Sequence, residues 1–199
     1  NVTLHVAVGH KVGKQAMEEK ASESCQKLIA DLNDRLEGED TKAFVVTHKD
    51  VEPVLTSFQT EFQMETGHWG AIQGRNKWRD CDTIVMFGIP YKPNSCSMNA
   101  YQALNGPSCY AKGEGTKEVQ DEVRRIRRDL KMGWIVTDIL QAFNRIQCRK
   151  VIDEHGNCPK ARGFIMFKSQ AEADEVLKAI RQEMPGIQIA WDWELDGGK

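Results

Sequence analysis

The stretch KAFVVTHK, residues 42–49, has the pattern of a strand from the interior of a parallel β-sheet. Its central residues are apolar without interruption, whereas a strand with one face in water alternates apolar and polar residues. Such a strand is buried on both faces, so helices must cover both sides of its sheet. The stretch therefore predicts an α/β fold.

The first half of the chain follows this prediction. We expect a half-buried strand in VTLHVAV, residues 2–8, and one long amphipathic helix over residues 13–36. Residues 51–62 favour a helix after Pro53, and residues 68–72 a short strand or loop. DTIVMFGIP, residues 82–90, predicts a second buried strand, which ends at Gly88 and Pro90.

The second half of the chain continues the alternation of helices and strands. We expect, in chain order, a helix at 97–105, a mobile loop at 110–120, a charged helix at 116–133, a helix at 134–146 after a break at Gly133, strands at 149–153 and 162–167, a helix at 169–184 capped by Ser169, and a strand at 187–195. The pattern predicts a single α/β domain over residues 1–199, with a mostly parallel sheet, helices on both faces and right-handed crossovers.

The carboxyl ends of parallel strands are where function collects in sheets of this kind. The ends to inspect are THK at residues 47–49, GIPYKP at residues 88–93, and the loop around QGRNKWRDCD at residues 73–82. Asp82 in that loop either caps neighbouring backbone or contributes to a site. Trp69 and Trp78 either fill the core or offer a stacking platform for nucleic-acid bases.

The composition is that of a globular cytosolic-type protein. Net charge is −2, so nucleic-acid binding would depend on a local basic patch rather than on a global field. None of the six cysteines forms a CxxC pair, and we expect reduced thiols in a cytoplasmic protein (host cytoplasm or nucleus for a viral one). The spacing of Cys148, His155 and Cys158 does not match a standard zinc finger.

Several classes of protein lack support in the sequence. No apolar run is long enough for a membrane span, the first residues do not have the pattern of a signal peptide, and the missing initial Met indicates a fragment. There is no GxxxxGK[ST] loop, because Gly9, Gly13 and Lys14 have the wrong spacing. We therefore expect no ATP hydrolysis by this chain alone.

Three segments together resemble one family. VVTHK at 45–49, the run from HWGAIQGRNKWRDCD through TIVMFGIP at 68–90, and QAFNRIQCR at 141–149 resemble motifs IV, V and VI of the superfamily II helicases. These motifs lie in this order on the C-terminal RecA-like domain of the family. The resemblance covers roughly residues 1–170, and the form QAxNRxxCR is most similar to helicases of phages, plasmids and mobile elements.

The resemblance implies a nucleotide site shared with an N-terminal RecA-like domain. Motif VI arginines of the family reach the γ-phosphate, which implies catalytic roles for Gln141, Arg145 and Arg149. In the family pattern QxxGRxxR, glycine stands where this chain has Asn144, and the second arginine stands at Cys148. If the segment is helical, Arg149 is rotated by about 100° from the family's second arginine.

The remaining roles also follow from the resemblance. It implies cofactor-binding roles for Gly74, Asn76 and Asp82, with ATP and Mg²⁺ held in the complete enzyme and neither expected in this chain alone. It implies contacts with DNA or RNA, and none with a membrane. The implied nucleic-acid contacts are Thr47, His48, Lys49 and Trp69.

Blander interpretations stay open at this point. Arg145 and Arg149 could pair with surface acids, and the basic cluster RRIRR at residues 124–128 could be a solvated helix face rather than a nucleic-acid contact. The whole chain could be a non-catalytic RecA-like interaction or nucleic-acid-binding module. It could also be an α/β protein that binds a small molecule at residues 88–93.

Overall fold

The computed structural model describes residues 1–9, 12–106 and 116–195. Its centre is a six-stranded sheet in the order β3-β2-β4-β5-β1-β6, in which every neighbouring pair is parallel. The strands are β1 Val2–Val8, β2 Lys42–Thr47, β3 Gln63–His68, β4 Thr83–Met86, β5 Ala161–Phe167 and β6 Ile187–Ala190.

Six α-helices lie between the strands in the described part of the chain. They are α1 Lys14–Glu19, α2 Ala21–Arg35, α3 Glu52–Leu55, α4 Asn94–Asn105, α5 Lys117–Phe143 and α6 Gln170–Glu183, and a 3₁₀ turn follows α5 at Gln147–Arg149. α2 packs with α3, and α5 packs with both α4 and α6. With right-handed crossovers, α1 to α3 cover one face of the sheet and α4 to α6 the other. The predicted α/β fold of RecA-like type is thus confirmed.

The strand order creates a crevice at the carboxyl ends of β2 and β4. After β2 the chain moves outward to β3, whereas after β4 it moves in the opposite direction to β5. Neighbouring strands whose connections diverge leave an opening between them, and ligands of open α/β sheets bind there. β2 supports this opening from the core, since all its residues after Lys42 are buried.

Two predictions in the first half of the chain are wrong. The long helix predicted at 13–36 is broken at Lys20, which ends α1 and begins α2. The helix predicted at 51–62 is only the single turn α3, and β3 follows it. β3 escaped prediction because it is an edge strand: its side chains are mostly half-exposed, so the apolar signal is weak and pairing with β2 decides its structure.

Three predictions in the second half also need correction. Gly133 does not break a helix, because α5 runs through it without interruption. Residues 149–153 form part of the 3₁₀ turn and an irregular segment instead of a strand. β6 ends at Ala190 rather than continuing to residue 195, since Trp193 turns back to donate from Nε1 to Asp31 Oδ2 and to pack edge-on against Phe164.

Other predictions are confirmed. The Ser169 side chain caps α6 by accepting a hydrogen bond from Glu172 N. The five cysteines among the described residues are all free thiols. The loop predicted at 110–120, in contrast, is wrong for residues 117–120, which belong to α5, and its residues 110–115 lie outside the described residues.

Candidate functional site

The end of α5 positions the two arginines of the QAFNRIQCR segment. Phe143 and Ile146 are fully buried and anchor the chain where the helix ends. Arg145 N donates to Ala142 O in a tight turn, so Arg145 lies just beyond the helix, and Arg149 lies in the 3₁₀ turn. A rotation of Arg149 by about 100° from the family's second arginine requires a helical segment, and this condition is not met because α5 ends at Phe143.

Both arginines contact the loop between β3 and β4. Arg145 Nη1 donates to Arg75 O at 3.2 Å, and Arg149 Nη1 donates to Asn76 Oδ1 at 3.0 Å. Gln147 N donates to Cys81 O at 3.0 Å, which keeps the two segments side by side. We call Arg75, Asn76, Arg145 and Arg149 the amino-edge cluster, because the segments that carry them run into the amino-terminal ends of β4 and β5. The expectation that the loop at residues 73–82 lies at a carboxyl end is therefore wrong for residues 75 and 76.

Neither arginine forms an ion pair within the described part of the chain. No carboxylate of the described residues lies within 4.0 Å of the guanidinium of Arg145 or Arg149. The adjacent Lys150, in contrast, binds Asp80 Oδ1 at 2.8 Å, and this pairing holds the pKa of Asp80 below its usual value. The interpretation that both arginines pair with surface acids is not supported here. Two cationic side chains are thus held in place without a carboxylate partner from the described residues.

The other cofactor residues implied by the resemblance are placed differently. Gly74 is exposed, with φ of +71°, in the same loop as Asn76. Asp82 accepts hydrogen bonds from Lys42 N at 3.1 Å and from Thr83 Oγ1 at 2.6 Å, so it caps the start of β2. Asp82 is not among the contacts of the arginines, and its hydrogen bonds match the structural alternative.

Gln141 and Arg145 are separated by one helical turn. Gln141 is half-buried on the last turn of α5, four residues before Arg145. The three implied catalytic residues all lie within residues 141–149. Of these three, Arg145 and Arg149 hydrogen-bond to the loop at 75–76.

Three of the four implied nucleic-acid residues meet at the crevice between β2 and β4. Trp69 N donates to Thr47 O at 2.9 Å, and Trp69 Nε1 donates to Gly88 O at 3.0 Å. His48 follows Thr47 and is buried. We call Thr47, His48, Trp69 and Gly88 the carboxyl-edge crevice. Lys49, the fourth residue, is exposed beside it.

Two buried polar atoms of this crevice lack partners. Thr47 Oγ1 and His48 Nε2 have no hydrogen-bond partner among the described residues. Burial lowers the pKa of His48, which favours its neutral form. A buried polar atom without a partner costs about 1–3 kcal/mol, which functional sites tolerate more often than cores do.

Gly88 brings the backbone close to His48. Its φ is +101°, a conformation that favours glycine, and an added Cβ would lie 2.8 Å from His48 Nε2 and 2.5 Å from Met17 Sδ. Any side chain at position 88 would therefore displace the histidine. The glycine that stops the strand in the sequence is also the one that allows the crevice to form.

One further contact beside the crevice has no signal in the sequence. Glu52 on α3 accepts from Thr66 Oγ1 at 3.1 Å, and Glu52 Oε2 lies 2.6 Å from His68 Nδ1. This pairing fixes the ring of His68 next to Trp69. It escaped prediction because Glu52 and His68 belong to different elements that only the folded sheet brings together.

The alternatives for the remaining candidates are resolved by burial and pairing. Trp78 is 2% exposed and stacks on Phe44 with ring centroids 4.2 Å apart, so it belongs to the core rather than to a base-stacking platform. Arg124 and Arg125 pair with carboxylates on the same helix, and Arg128 with Glu175 on α6. The basic cluster of α5 is therefore a solvated, ion-paired helix face.

Within residues 1–9, 12–106 and 116–195, no group of three or more His, Cys, Asp or Glu side chains could hold a metal ion, which includes Cys148, His155 and Cys158. No helix of that part is long and apolar enough to cross a membrane. Comparisons with protein-family models, curated proteins and solved structures found nothing that matches this chain.

Proposed function

We propose that this chain is the C-terminal RecA-like half of an NTP-dependent nucleic-acid helicase or translocase. In this proposal the amino-edge cluster meets the nucleotide and the carboxyl-edge crevice meets nucleic acid. The observation that carries the proposal is the pair of arginines, Arg145 and Arg149, held against residues 75 and 76 without a carboxylate partner among the described residues.

The amino-edge cluster fits the phosphates of ATP. Guanidinium groups are always charged and present several donors in a plane, which suits phosphate oxygens. Each guanidinium has one hydrogen bond to the described part of the protein, which orients the group. Apart from the buried Nε of Arg145, the other donors remain for an anion. Bound ATP would supply the γ-phosphoryl group, and Arg145 and Arg149 would neutralise the charge that develops on it.

A second domain is required by this proposal. The partner is an N-terminal RecA-like domain that carries the phosphate loop and the ligands of Mg²⁺, because no phosphate loop of that kind occurs in this sequence. Nucleotide would bind between the two domains, and closure would bring the arginines onto the phosphates. The isolated chain should therefore show no ATP turnover.

The loop between β3 and β4 supports coupling between the two surfaces. Trp69, at one end of the loop, hydrogen-bonds to the ends of β2 and β4, whereas Asn76 in the middle contacts Arg149. A shift of the arginines on nucleotide hydrolysis would therefore be transmitted along one short, hydrogen-bonded segment. In the proposed enzyme, hydrolysis would change the affinity for nucleic acid through this segment.

Nucleic-acid-stimulated ATP hydrolysis by the native polypeptide that contains this chain tests the proposal. Arg145→Ala and Arg149→Ala should each lower kcat by about 100-fold or more, since arginine fingers contribute roughly 10³–10⁵ in rate. Arg181→Ala, on the exposed end of α6, is the matched control and should hydrolyse ATP like the parent. Circular dichroism of each variant separates lost chemistry from lost folding.

Two results would contradict the proposal. If both arginine variants fold and hydrolyse ATP like the parent, the motif VI assignment is wrong. If the native polypeptide binds nucleic acid but hydrolyses no nucleotide, the chain is a non-catalytic nucleic-acid-binding module that shares the RecA-like fold.

A further inference from the structure

Residues 147–160 form a hairpin-like excursion between α5 and β5. Gln147 Nε2 donates to Lys160 O at 2.9 Å at its base, and Ile152 N donates to Asn157 O at 2.8 Å further out. Asp153 closes the tip, since its Oδ1 accepts from Asn157 N at 2.9 Å. The two limbs of the excursion therefore run side by side.

Cys148 and Cys158 occupy opposing limbs between these two contacts. Both side chains are half-buried and pack against the hydrophobic core, so they lie on the same inner side of the excursion. Cys148 Sγ donates to Phe143 O at 3.0 Å, and Cys158 O accepts from Asn1 Nδ2 at 3.0 Å. Both residues are free thiols. Nothing in the proposed hydrolysis reaction uses either of them.

We infer that Cys148 and Cys158 form a reversible disulfide site, whose co-reactant is a small-molecule disulfide such as oxidised glutathione. The inference rests on the hairpin geometry and does not depend on the proposed function. The nine residues between the cysteines include Arg149, so the cross-link would close a short loop around one member of the amino-edge cluster.

The exchange proceeds in two balanced steps. Burial raises the pKa of the Cys148 thiol to about 12, and the nearby Cys158 thiol adds to this effect, so Cys148 is a poor first nucleophile. The Cys158 thiolate attacks one sulfur of oxidised glutathione, which forms a mixed disulfide and releases one glutathione thiolate. Cys148 then passes its proton to the released glutathione thiolate and attacks the Cys158 sulfur, which releases the second glutathione as a thiolate that takes a proton from water. Two electrons pass from the cysteine pair to one glutathione disulfide.

The cross-link would change the environment of Arg149. Cys148 Sγ would exchange its hydrogen bond to Phe143 O for a covalent bond to Cys158, and Cys148 immediately precedes Arg149 within the 3₁₀ turn. Any effect of this change on ATP hydrolysis rests on the proposed function. The disulfide itself can be tested in the chain alone.

Peptide mapping of the folded chain after exposure to oxidised glutathione is the test. Trypsin cuts after Arg145, Arg149, Lys150 and Lys160, so the disulfide joins the peptide IQCR, residues 146–149, to VIDEHGNCPK, residues 151–160. We expect this linked pair in roughly ten-fold excess over any other cysteine pair, because the two thiols react within one hairpin. Dithiothreitol should release it.

Three variants make the result decisive. Cys148→Ser should abolish the linked pair and leave glutathione on Cys158, and Cys158→Ser should abolish both products. Cys96→Ser, in α4, is the matched control and should leave the linked pair unchanged. Glutathione on both Cys148 and Cys158 without a cross-link, or a pair that includes a different cysteine, would overturn the inference. Such a failure would leave the proposed arginine chemistry standing, and a failed hydrolysis assay would leave the disulfide standing.

Discussion

The polar residues that the sequence singles out lie in different environments in the folded protein. His48 is buried with Nε2 unpaired, so the fold disfavours its charge, whereas Arg145 is half-buried and Arg149 exposed, and each donates a hydrogen bond to residue 75 or 76. The sequence singled out all three residues. It could not predict their environments, because the contacts come from Gly88, Arg75 and Asn76, which are tens of residues away along the chain.

The titration of His48 should make stability depend on pH. Burial lowers its pKa below the unfolded value of about 6.5, so the unfolded chain binds a proton more readily than the folded one. Stability should therefore be greatest above about pH 6.5 and fall as the solution is acidified towards the folded pKa, by at most about 1.4 kcal/mol per pH unit for one proton. Urea unfolding at several pH values measures this slope.

His48→Gln should flatten that slope, because glutamine does not titrate. The matched control is His155→Gln, since His155 is exposed and its replacement should leave the slope unchanged. An unchanged slope in His48→Gln would show that another group causes the acid sensitivity.

Replacing Arg145 by lysine tests whether geometry matters as well as charge. Arg145→Lys in the native polypeptide should lower kcat strongly and weaken ATP binding less, because lysine lacks the planar pair of donors and a finger acts mainly on the transition state. Arg149→Lys measures the second arginine separately. Steady-state kinetics gives kcat and nucleotide titration gives the affinity. Equal losses of binding and turnover would point to ground-state binding instead.

At the scale of elements, apolar patterns in the sequence predict the interior strands well and the edge strands poorly. β2 and β4 are continuously buried and were recognised from their apolar runs, whereas β3 and the end of β6 depend on neighbours. In α5 the sequence pattern also fails, because it predicts a helix break that the structure does not have. The sequence suggests a break at Gly133, but α5 runs through this exposed position without interruption.

Gly133→Ala should stabilise the protein by about 0.5–1 kcal/mol. Glycine costs that much relative to alanine inside a helix, and an added Cβ at position 133 meets nothing within 4 Å. Thermal unfolding measures the effect as a higher Tm. A lower Tm would mean that α5 is interrupted at Gly133.

Gly38→Ala is the control for this prediction. Its added Cβ also meets nothing within 4 Å, yet its φ of +73° disfavours alanine. This variant should lose about 1 kcal/mol, which matches the cost of the left-handed conformation for a residue with a side chain. Because neither added Cβ makes a close contact, a difference in Tm between the two variants reports backbone conformation rather than packing.

At the scale of the whole molecule, charge is nearly balanced and locally arranged. Net charge is −2, and the basic cluster of α5 is neutralised by its own carboxylates. Lys14 near the carboxyl-edge crevice also faces acids, since its Nζ lies 3.2 Å from Asp50 Oδ2. Association with nucleic acid would therefore depend on a few side chains rather than on a basic surface.

Binding of single-stranded oligonucleotides should be weak and steeply dependent on salt. We expect a Kd of roughly 10⁻⁴–10⁻⁶ M at physiological salt, measured by fluorescence anisotropy. Lys49→Ala should weaken binding and lower the salt slope by about one unit, as expected for one lost phosphate contact. Lys178→Ala, exposed on α6, is the control and should bind like the parent. Tight binding that does not change with salt concentration would contradict the prediction that only a few charged side chains contact nucleic acid.

The sequence by itself determined the α/β class, the interior strands and the residues worth testing. Those features depend on local periodicity, on continuous apolar runs and on the short motifs that resemble helicase segments. Only the tertiary structure decided the strand order, the crevice between β2 and β4, the cap by Asp82 and the contacts of Arg145 and Arg149 with residues 75 and 76. These features join segments about 40 to 70 residues apart, and such contacts depend on the packing of the whole sheet, which no local pattern encodes.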